Sequence, residues 1–464
     1  MNIILFPLWL TEDFPAFSPP PFDLFFLTND GFPHLTHTHI MFTHHPLLRT
    51  GLRTFPVHKW YKPSAPVRQF TTTPHACQPL QLKKVLILSK QTRYETEVTN
   101  LESNTDTTAA AAASSPLQLD QKQQLLQREI SKRGLNYNRL SHSYYSHLNS
   151  LQNIVTELKR NNIDYTIVTA TRDLTDDFPE SYLNYDAILS AGGDGTFLKA
   201  ASEMYTLDVP LIGINTDPNK SKGALCTVHD SIKFGQYLQQ IQAGDYEWRQ
   251  HSRIRVQLEK DSGMDTLEWT QLKQVALNEI FFAERNVAHP IQHEVIVDQQ
   301  VSSADVQLSS GILICTGTGS SAWMANASKI DTDIVRQVLN MTRSVLNNTA
   351  NAKDTADVLD AIDVTTMDQI AETLGKERHF DVGSADIKYF VREVVSNGLR
   401  PPCKNKQGLH QSVTIRSRGW DPTMTLDGIH TFPLPAGQRA HFDTDPSVAL
   451  RTLTFGTEDR DRKR

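Results

Sequence analysis

The chain of 464 residues carries a net charge of −6 at neutral pH, with 39% hydrophobic and 21% charged residues. This composition is typical of a globular protein with a substantial core, and the acidic balance argues against a general nucleic-acid binder, which usually presents a basic face. No apolar run approaches the roughly 18 residues that a membrane span needs, and the four cysteines contain no CxxC pair that would indicate a zinc site or a disulfide framework.

The first 70 residues differ in character from the rest of the chain. No acidic residue occurs between Asp30 and Glu95, an interval that contains nine Arg and Lys residues. An acid-free, basic N-terminal region is typical of a mitochondrial transit peptide. We therefore predict a transit leader over 1–70 and a mature protein in the mitochondrial matrix. A disordered tail without a targeting role remains the alternative, and translation could start at Met1 or Met41.

Residues 82–240 are predicted to form an α/β domain with a Rossmann-like parallel sheet. Short apolar runs rich in β-forming residues alternate with helical segments, and this alternation is typical of a parallel sheet that is covered on both faces. The predicted strands are 82–90, 163–170, 185–190 and 209–214, and the predicted helices are 125–133, 144–161 and 196–205. The polar, alanine-containing stretch 99–124 offers little surface to bury and is predicted as a flexible insertion.

Residues 245–456 are predicted to form a second domain that is β-rich and sandwich-like. Valine- and isoleucine-rich segments with alternating polarity are separated by turn residues, as in antiparallel sheets. The predicted strands include 253–258, 294–298, 311–315, 413–417 and 424–426. A helical pattern between about 330 and 375 interrupts these strands, and we predict a helical insertion there.

The most informative segment runs from a buried strand through Gly192-Gly-Asp-Gly-Thr196 directly into a helix. Glycine permits positive φ and a close approach of the backbone to a ligand, and the free N–H groups at a helix N-terminus bind phosphate. The turn also follows a sheet strand, at the carboxyl end where open α/β sheets usually bind ligands. We therefore predict that Gly192, Gly193, Gly195 and Thr196 bind phosphate groups.

Asp194 is the unusual residue of this turn, because a carboxylate inside a phosphate-binding loop opposes the charge of the ligand. Such a residue needs a chemical task, such as accepting a proton from an acceptor hydroxyl or holding Mg²⁺. The alternative is that Asp194 merely caps the helix. The complete five-residue string between strand and helix favours the catalytic interpretation.

The string Gly-Gly-Asp-Gly-Thr resembles the signature shared by NAD kinases, by diacylglycerol and sphingosine kinases and, in altered form, by phosphofructokinases. Three further strings resemble NAD kinases in particular: Asn278-Glu279, the loop 316–323 and the segment 210–227. Asp217-Pro218 stands where the family usually has a glycine, which points to the mitochondrial branch. Gly317 replaces the usual proline of the loop.

This resemblance implies an enzyme that transfers the γ-phosphate of ATP to the adenosine-ribose 2′-hydroxyl of NAD, with Mg²⁺ as cofactor, and it leaves NADH open as a second acceptor. Asp194 would deprotonate or orient the hydroxyl, while the glycine turn binds the ATP phosphates. No residue is predicted as a ligand of a resident metal, and a homodimer or larger homo-oligomer is expected. The residues expected to bind NAD are Asn278, Glu279, Thr316, Thr318, Gly319, Ser320 and Ser321.

Three other functions match parts of the sequence. A diacylglycerol- or sphingosine-type lipid kinase shares the glycine turn but is disfavoured by Asn278-Glu279 and the 316–323 loop. A catalytically inactive NAD-binding regulator would be favoured by loss of Asp194, which is present. A Rossmann oxidoreductase fits the GxGxxA spacing from Gly317, but no ribose-binding acid follows at the required distance.

Overall fold

The computed structural model describes residues 78–105, 116–170, 180–205, 207–260, 268–300, 304–347, 362–376, 378–395 and 406–456. All of these residues belong to one compact unit, Ala65–Arg464. The predicted leader over 1–70 lies outside the described residues.

The described residues contain helices in both halves of the chain and strands that form four sheets. The helices are α1 (Arg93–Thr105), α2 (Pro116–Lys132), α3 (Tyr137–Arg160), α4 (Asp194–Glu203), α5 (Phe234–Ala243), α6 (Trp323–Ala327), α7 (Thr332–Asn347) and α8 (Val364–Lys376). The strands are β1 (Lys84–Lys90), β2 (Asp164–Ala170), β3 (Ala187–Gly192), β4 (Leu211–Asn215), β5 (Glu247–His251), β6 (Ile254–Glu259), β7 (Trp269–Gln271), β8 (Glu279–Glu284), β9 (Ile291–Val297), β10 (Asp305–Ser309), β11 (Gly311–Cys315), β12 (Ile387–Arg392), β13 (Gln407–His410), β14 (Ser412–Ser417), β15 (Pro422–Leu426), β16 (His430–Pro433), β17 (Arg439–Thr444) and β18 (Leu450–Thr454).

The first half of the chain folds around a parallel sheet with the strand order β2-β1-β3-β4. Strands β3 and β4 are buried along their whole length, because helices cover both faces of the sheet. Val85 and Ile87 of β1 cluster with residues of α3 and α5 on one face, whereas Leu86 and Leu88 cluster with residues of α4 on the other.

The second half forms two six-stranded antiparallel sheets with the orders β10-β9-β14-β17-β6-β7 and β13-β12-β11-β8-β15-β16. Both sheets contribute to one hydrophobic cluster, in which Val295 and Phe442 of the first sheet meet Phe282 and Tyr389 of the second. Alternate residues of β9 and β12 are buried, as expected for strands with one face in a sandwich core. The predicted fold class, an α/β part followed by a β-rich sandwich with helices inserted, is confirmed.

The last strand returns to the α/β half of the molecule. β18 pairs with β5 in a two-stranded antiparallel sheet. Leu450 lies in the cluster on the α4 face of the parallel sheet, and Leu453 and Phe455 lie in the cluster on the α3 and α5 face. The core of the first half is therefore completed by residues from the end of the chain.

The segment 99–124, predicted as a flexible insertion, is helical at both ends, while residues 106–115 lie outside the described residues. The start of α1 has a reciprocal N-terminal cap, which the polar composition of this segment does not reveal. The backbone N–H of Thr92 donates to Glu95 Oε2 at 2.7 Å, and the N–H of Glu95 donates to Thr92 Oγ1 at 3.3 Å. This cap fixes the first turn and lets a polar sequence start a helix.

Helices α7 and α8 occupy most of the predicted helical insertion at 330–375, and they pack against each other. No described helix is both long and apolar enough to cross a membrane.

Truncating the buried side chains of β18 should destabilise the protein. Leu453→Ala creates a cavity in the core of the parallel sheet, and we expect the free energy of unfolding in urea to fall by about 2 to 5 kcal/mol. Thr454→Ala, on the same strand but only partly buried, is the matched control and should change it by less than about 0.5 kcal/mol. Equal effects of the two substitutions would contradict the packing described for β18.

Candidate active site

The glycine turn connects β3 to α4, with Gly193 as the residue before the first helical turn. None of its three glycines adopts a positive φ, so the expectation based on positive φ is wrong. The requirement is steric instead. A Cβ on Gly192 would lie 2.2 Å from Thr196 Oγ1, and one on Gly193 would lie 2.7 Å from Ser221 Oγ, whereas Gly195 faces open space. Gly192 and Gly193 thus let the chain turn tightly against its own helix and the 221 loop.

Asp194 lies in the first turn of α4 and is half-buried. Its Oδ1 accepts a hydrogen bond from the backbone N–H of Leu225 at 2.7 Å. The carboxylate therefore anchors the loop after β4. The alternative suggested by the sequence was that Asp194 only caps the helix. Within the described part of the chain this carboxylate accepts no other hydrogen bond, so Oδ2 is available to a ligand.

A buried polar network lies beside the turn, between the carboxyl ends of β1 and β4. His147 of α3 bridges Ser89 Oγ (2.9 Å from Nε2) and Thr216 Oγ1 (3.0 Å from Nδ1). Burial lowers the pKa of His147 to about 4, so the imidazole is neutral at physiological pH. Ser143 Oγ donates to Asp217 Oδ2 at 2.5 Å. The sequence pointed to Asp217 only as a departure from the family pattern, and it did not single out Ser89, Ser143, His147 or Thr216.

Their spacing carried a signal that could have identified them. Ser143, His147 and Ser150 recur every three or four residues on the same face of α3 as the core residues Ile154 and Leu158, and all five are buried. Polar side chains on the apolar face of a helix require hydrogen-bond partners, and therefore mark a buried network.

Asn278 and Glu279 lie at the start of β8, and Asp427 holds the backbone there. The Asp427 carboxylate accepts hydrogen bonds from the backbone N–H groups of Leu277, Asn278 and Glu279 at 2.6, 2.8 and 2.9 Å. Asn278 Oδ1 and Glu279 Oε2 are buried and have no hydrogen-bond partner among the described residues. A buried polar atom without a partner is costly, so both atoms suit contact with a bound ligand.

The surroundings raise the pKa values of two neighbouring carboxyl groups, those of Glu279 and Asp427. Burial, assisted by the nearby Asp427, raises the pKa of Glu279 from 4.5 to about 8. Burial also raises the pKa of Asp427 to about 6, against the opposing effect of its three backbone hydrogen bonds. In the unliganded protein Glu279 is therefore largely protonated at neutral pH.

The loop 316–321 packs directly against Asn278. Thr316 Oγ1 donates to the carbonyl oxygen of Leu277 at 2.5 Å, and the Thr316 N–H donates to that of Asn278 at 3.0 Å. A Cβ on Gly319 would lie 2.0 Å from the Asn278 carbonyl oxygen, so only glycine fits there. The loop 316–321 and the Asn278-Glu279 pair thus form one structural element, which we call the Asn278 element.

The hydroxyl groups of this loop mainly shape the loop itself. Ser320 Oγ donates to the carbonyl of Gly317 at 2.7 Å, and Ser321 Oγ donates to that of Thr318 at 3.2 Å. Thr318 Oγ1 lies 2.9 Å from Nδ1 of the buried His251. Strand β11, which leads into the loop, is antiparallel to both of its neighbours. This arrangement is not a βαβ unit and excludes the Rossmann interpretation of the loop.

The glycine turn and the Asn278 element are connected through the body of α4. Leu277 lies in the same hydrophobic cluster as Phe197 and Ala200 of α4. In the described residues no hydrogen bond joins the polar side chains of the glycine turn to those of Asn278 and Glu279. No three His, Cys, Asp or Glu side chains of the described residues converge as a metal site.

The chain is similar to known proteins in sequence. The family model for the ATP-NAD kinase N-terminal domain matches residues 97–246. The chain is 28% identical over 418 residues to NAD kinase 2, mitochondrial, of Xenopus tropicalis, a match that covers 80% of this chain and 90% of that protein. It is 26% identical over 403 residues to the Homo sapiens protein of the same name, covering 80% of this chain and 84% of that protein.

Among solved structures, the crystal structure of yeast NADH kinase complexed with NADH matches with a TM-score of 0.43 and 14% identity, covering 82% of this chain and 86% of that chain. The family model spans the glycine turn, and the matches to the mitochondrial NAD kinases extend over most of both chains. The chain is therefore similar to NAD kinases, and over most of its length to those of the mitochondrial type.

Proposed function

We propose that this chain is an NAD kinase that transfers the γ-phosphate of ATP to the adenosine-ribose 2′-hydroxyl of NAD, and also accepts NADH. The observation that carries the proposal is the half-buried Asp194 carboxylate in the first turn of α4, directly after the glycine turn. A group that accepts a proton and a group of phosphate-binding N–H donors are thereby held side by side, as phosphoryl transfer requires.

In this mechanism the chain acts mainly by positioning. The backbone N–H groups at the start of α4 bind the ATP phosphates through the turn formed by Gly192, Gly193, Gly195 and Thr196. Asp194, held by the Leu225 N–H, orients the 2′-hydroxyl and accepts its proton. Fixing both reactants in line accounts for most of the rate, because the loose transition state requires little covalent chemistry from the protein.

Mg²⁺ fits this site in the way that it usually binds nucleotide enzymes, through one or two carboxylates together with the substrate phosphates. The ATP phosphates would hold it here, beside the Asp194 carboxylate. When bound, the ion neutralises charge on the β- and γ-phosphates.

The nucleoside side of NAD is assigned to the element built around Asn278. The unpartnered Asn278 Oδ1 and Glu279 Oε2 would accept hydrogen bonds from ribose hydroxyls or the adenine amino group. Thr316, Thr318, Gly319, Ser320 and Ser321 would form the wall of this site, with Gly319 allowing the close approach to Asn278.

The remaining proposals concern the whole protein. We propose a mitochondrial protein of the matrix, with residues 1–70 as its transit leader, because the relatives are named as mitochondrial and the leader lacks acidic residues between Asp30 and Glu95. We also propose an α/β domain over 82–240, a β-rich domain over 245–456, and assembly as a homodimer or larger homo-oligomer.

Direct assay tests the activity. Purified protein comprising residues 71–464, incubated with ATP and Mg²⁺, should form NADP from NAD and NADPH from NADH, measured by coupled dehydrogenase absorbance. Phosphorylation of diacylglycerol or sphingosine in the same preparation, without NADP or NADPH, would assign the glycine turn to a lipid kinase instead.

Removing the proton acceptor should abolish turnover and preserve binding. Asp194→Asn keeps an oxygen for the Leu225 N–H, so we expect an intact fold and near-unchanged NAD affinity, with kcat lowered by about 10²- to 10⁴-fold. Asp230→Asn, at the N-cap of the 3₁₀ helix Ser231–Lys233, is the matched control because Asn caps as well as Asp. Wild-type kcat in Asp194→Asn would rule out this role.

The raised pKa of Glu279 predicts a pH-dependent stability difference in the absence of ligands. Between pH 4.5 and about 8 the unfolded chain ionises Glu279 while the folded protein keeps it protonated. The unfolded state is therefore favoured as pH rises, and the contribution of Glu279 to stability, complete below pH 4.5, is lost by about pH 8.

In urea titrations, the free energy of unfolding of the wild type should fall relative to that of Glu279→Gln, by at most about 1.4 kcal/mol per pH unit in this window. Asp427 titrates in both proteins, so its contribution largely cancels. Parallel curves for the two proteins would show that Glu279 has an ordinary pKa.

A further inference from the structure

A cavity of about 640 Å³ lies where α1, α2 and α3 meet the carboxyl ends of β1 and β2. Gln91 follows β1 directly, and Thr169 is the penultimate residue of β2. The most distinctive part of its lining is four tyrosines: Tyr94, Tyr137, Tyr144 and Tyr145. The cavity thus opens at the edge of the sheet that also carries the glycine turn, and it belongs to none of the sites assigned above.

The tyrosine rings form a layered aromatic wall. Tyr94 stacks on Tyr144 with ring centroids 5.0 Å apart and an interplanar angle of 24°, and Tyr137 meets Tyr94 edge-on at 6.0 Å. Tyr145 adjoins Tyr144 at 5.3 Å and is 58% exposed, so part of the aromatic surface is accessible. Burial raises the pKa of Tyr94 and of Tyr144, which keeps both phenols neutral. Neutral, flat rings are the surface on which a nucleobase stacks.

Polar groups of the lining suit the edge of a base. The side-chain amides of Gln91 and Gln123 each offer donors and an acceptor, and Gln123 Nε2 already donates to Tyr137 Oη at 3.2 Å. The carboxylate of Glu95 is engaged by the N–H and the hydroxyl of Thr92, both at 2.7 Å. The acidic residue of the lining is therefore turned to the start of α1.

The strand register fixes how far the cavity lies from the glycine turn. Thr169 pairs with Ser89 across β2 and β1, and Ser89 pairs with Ala191 across β1 and β3. Two strand spacings amount to about 10 Å. A ribose and a triphosphate can bridge that distance, so one nucleotide can reach from the cavity to the N-terminus of α4.

Lys90 lies on this path. A Cβ on Gly192 would be 3.1 Å from the Lys90 Cβ, which places the lysine beside the turn. Burial lowers its pKa, while the nearby Asp217 carboxylate raises it. Lys220 is also close enough to interact electrostatically with Lys90. Lys90, with Lys220 near it, supplies positive charge that favours a triphosphate on this path.

We propose that the tyrosine-lined cavity binds the base of the phosphate donor, a purine nucleoside triphosphate, whose triphosphate passes Lys90 and reaches the glycine turn. This inference rests on the proposed function, because it names the site of the donor base in the same reaction. Under this proposal the two nucleosides of the reaction bind at different places. The donor base lies against α1 and α3, and the acceptor nucleoside lies against Asn278 and Glu279.

Calorimetry with the full chain tests this assignment through two ligands, the non-hydrolysable donor adenosine 5′-(β,γ-imido)triphosphate and NAD. Tyr145→Ala removes an exposed ring without opening the core. It should raise the Kd of the donor analogue by about 5- to 150-fold, the range for loss of one base–aromatic stack. The Kd of NAD should stay at the wild-type value. Tyr144→Phe keeps the ring and should keep donor binding.

Leu148→Ala is the matched control, because Leu148 lies about one turn further along α3, is 36% exposed and does not line the cavity. An unchanged donor Kd in Tyr145→Ala, or an equal loss of donor and NAD binding, would overturn the proposal. Photolabelling with 8-azido-ATP gives a second readout, with the label expected on peptides from α1 or α3. Label confined to β8 or the 316–321 loop would contradict it.

If the proposed NAD kinase function were wrong, the experiments would give a different combination of results. A wild-type protein that makes no NADP, yet binds the donor analogue in a Tyr145-dependent way, would retain the base site and lose the NAD kinase assignment.

Discussion

Arg253 donates hydrogen bonds to backbone carbonyls from both halves of the protein. Its guanidinium reaches Ala201 (2.9 Å) and Met204 (2.5 Å) at the C-terminus of α4, and Val448 and Ala449 before β18. The side chain is 1% exposed, and burial lowers its pKa to about 10, so it stays cationic at neutral pH. A cation at a helix C-terminus is favourable, and here it also satisfies carbonyls of the α4 terminus and of the segment before β18.

The position of the glycine turn depends on this contact. Helix α4 carries Asp194 at one end and is held by Arg253 at the other, while Leu277 packs against its middle. Arg253 itself directly precedes β6 of the sandwich. The glycine turn and the Asn278 element are thereby oriented by one short helix that both halves of the molecule hold in place. Since phosphoryl transfer depends on in-line positioning, the geometry of this helix matters more than any single polar contact.

Much of this could be predicted from local patterns in the sequence. The buried runs of β1, β3 and β4 were visible as apolar segments, and the strand–glycine–helix string located Asp194. What local patterns could not supply were contacts between distant segments. The crowding of Gly319 against Asn278, the three hydrogen bonds to Asp427, and the tie between Asp194 and Leu225 all join positions that are far apart in the chain. For the same reason the sequence suggests positive φ for the glycines of the turn, whereas the structure requires them because space is short. The local sequence does not reveal a neighbour such as Ser221.

The return of β18 to the first half bears on how the protein is made. Leu450, Leu453 and Phe455 complete hydrophobic clusters whose other members are mostly synthesised before residue 250. During translation the apolar surface that these residues cover stays exposed until β18 has been synthesised. A nascent chain that stops short of β18 therefore presents exposed core to chaperones and proteases. Burial of the first half of the molecule is thus tied to synthesis of the second half.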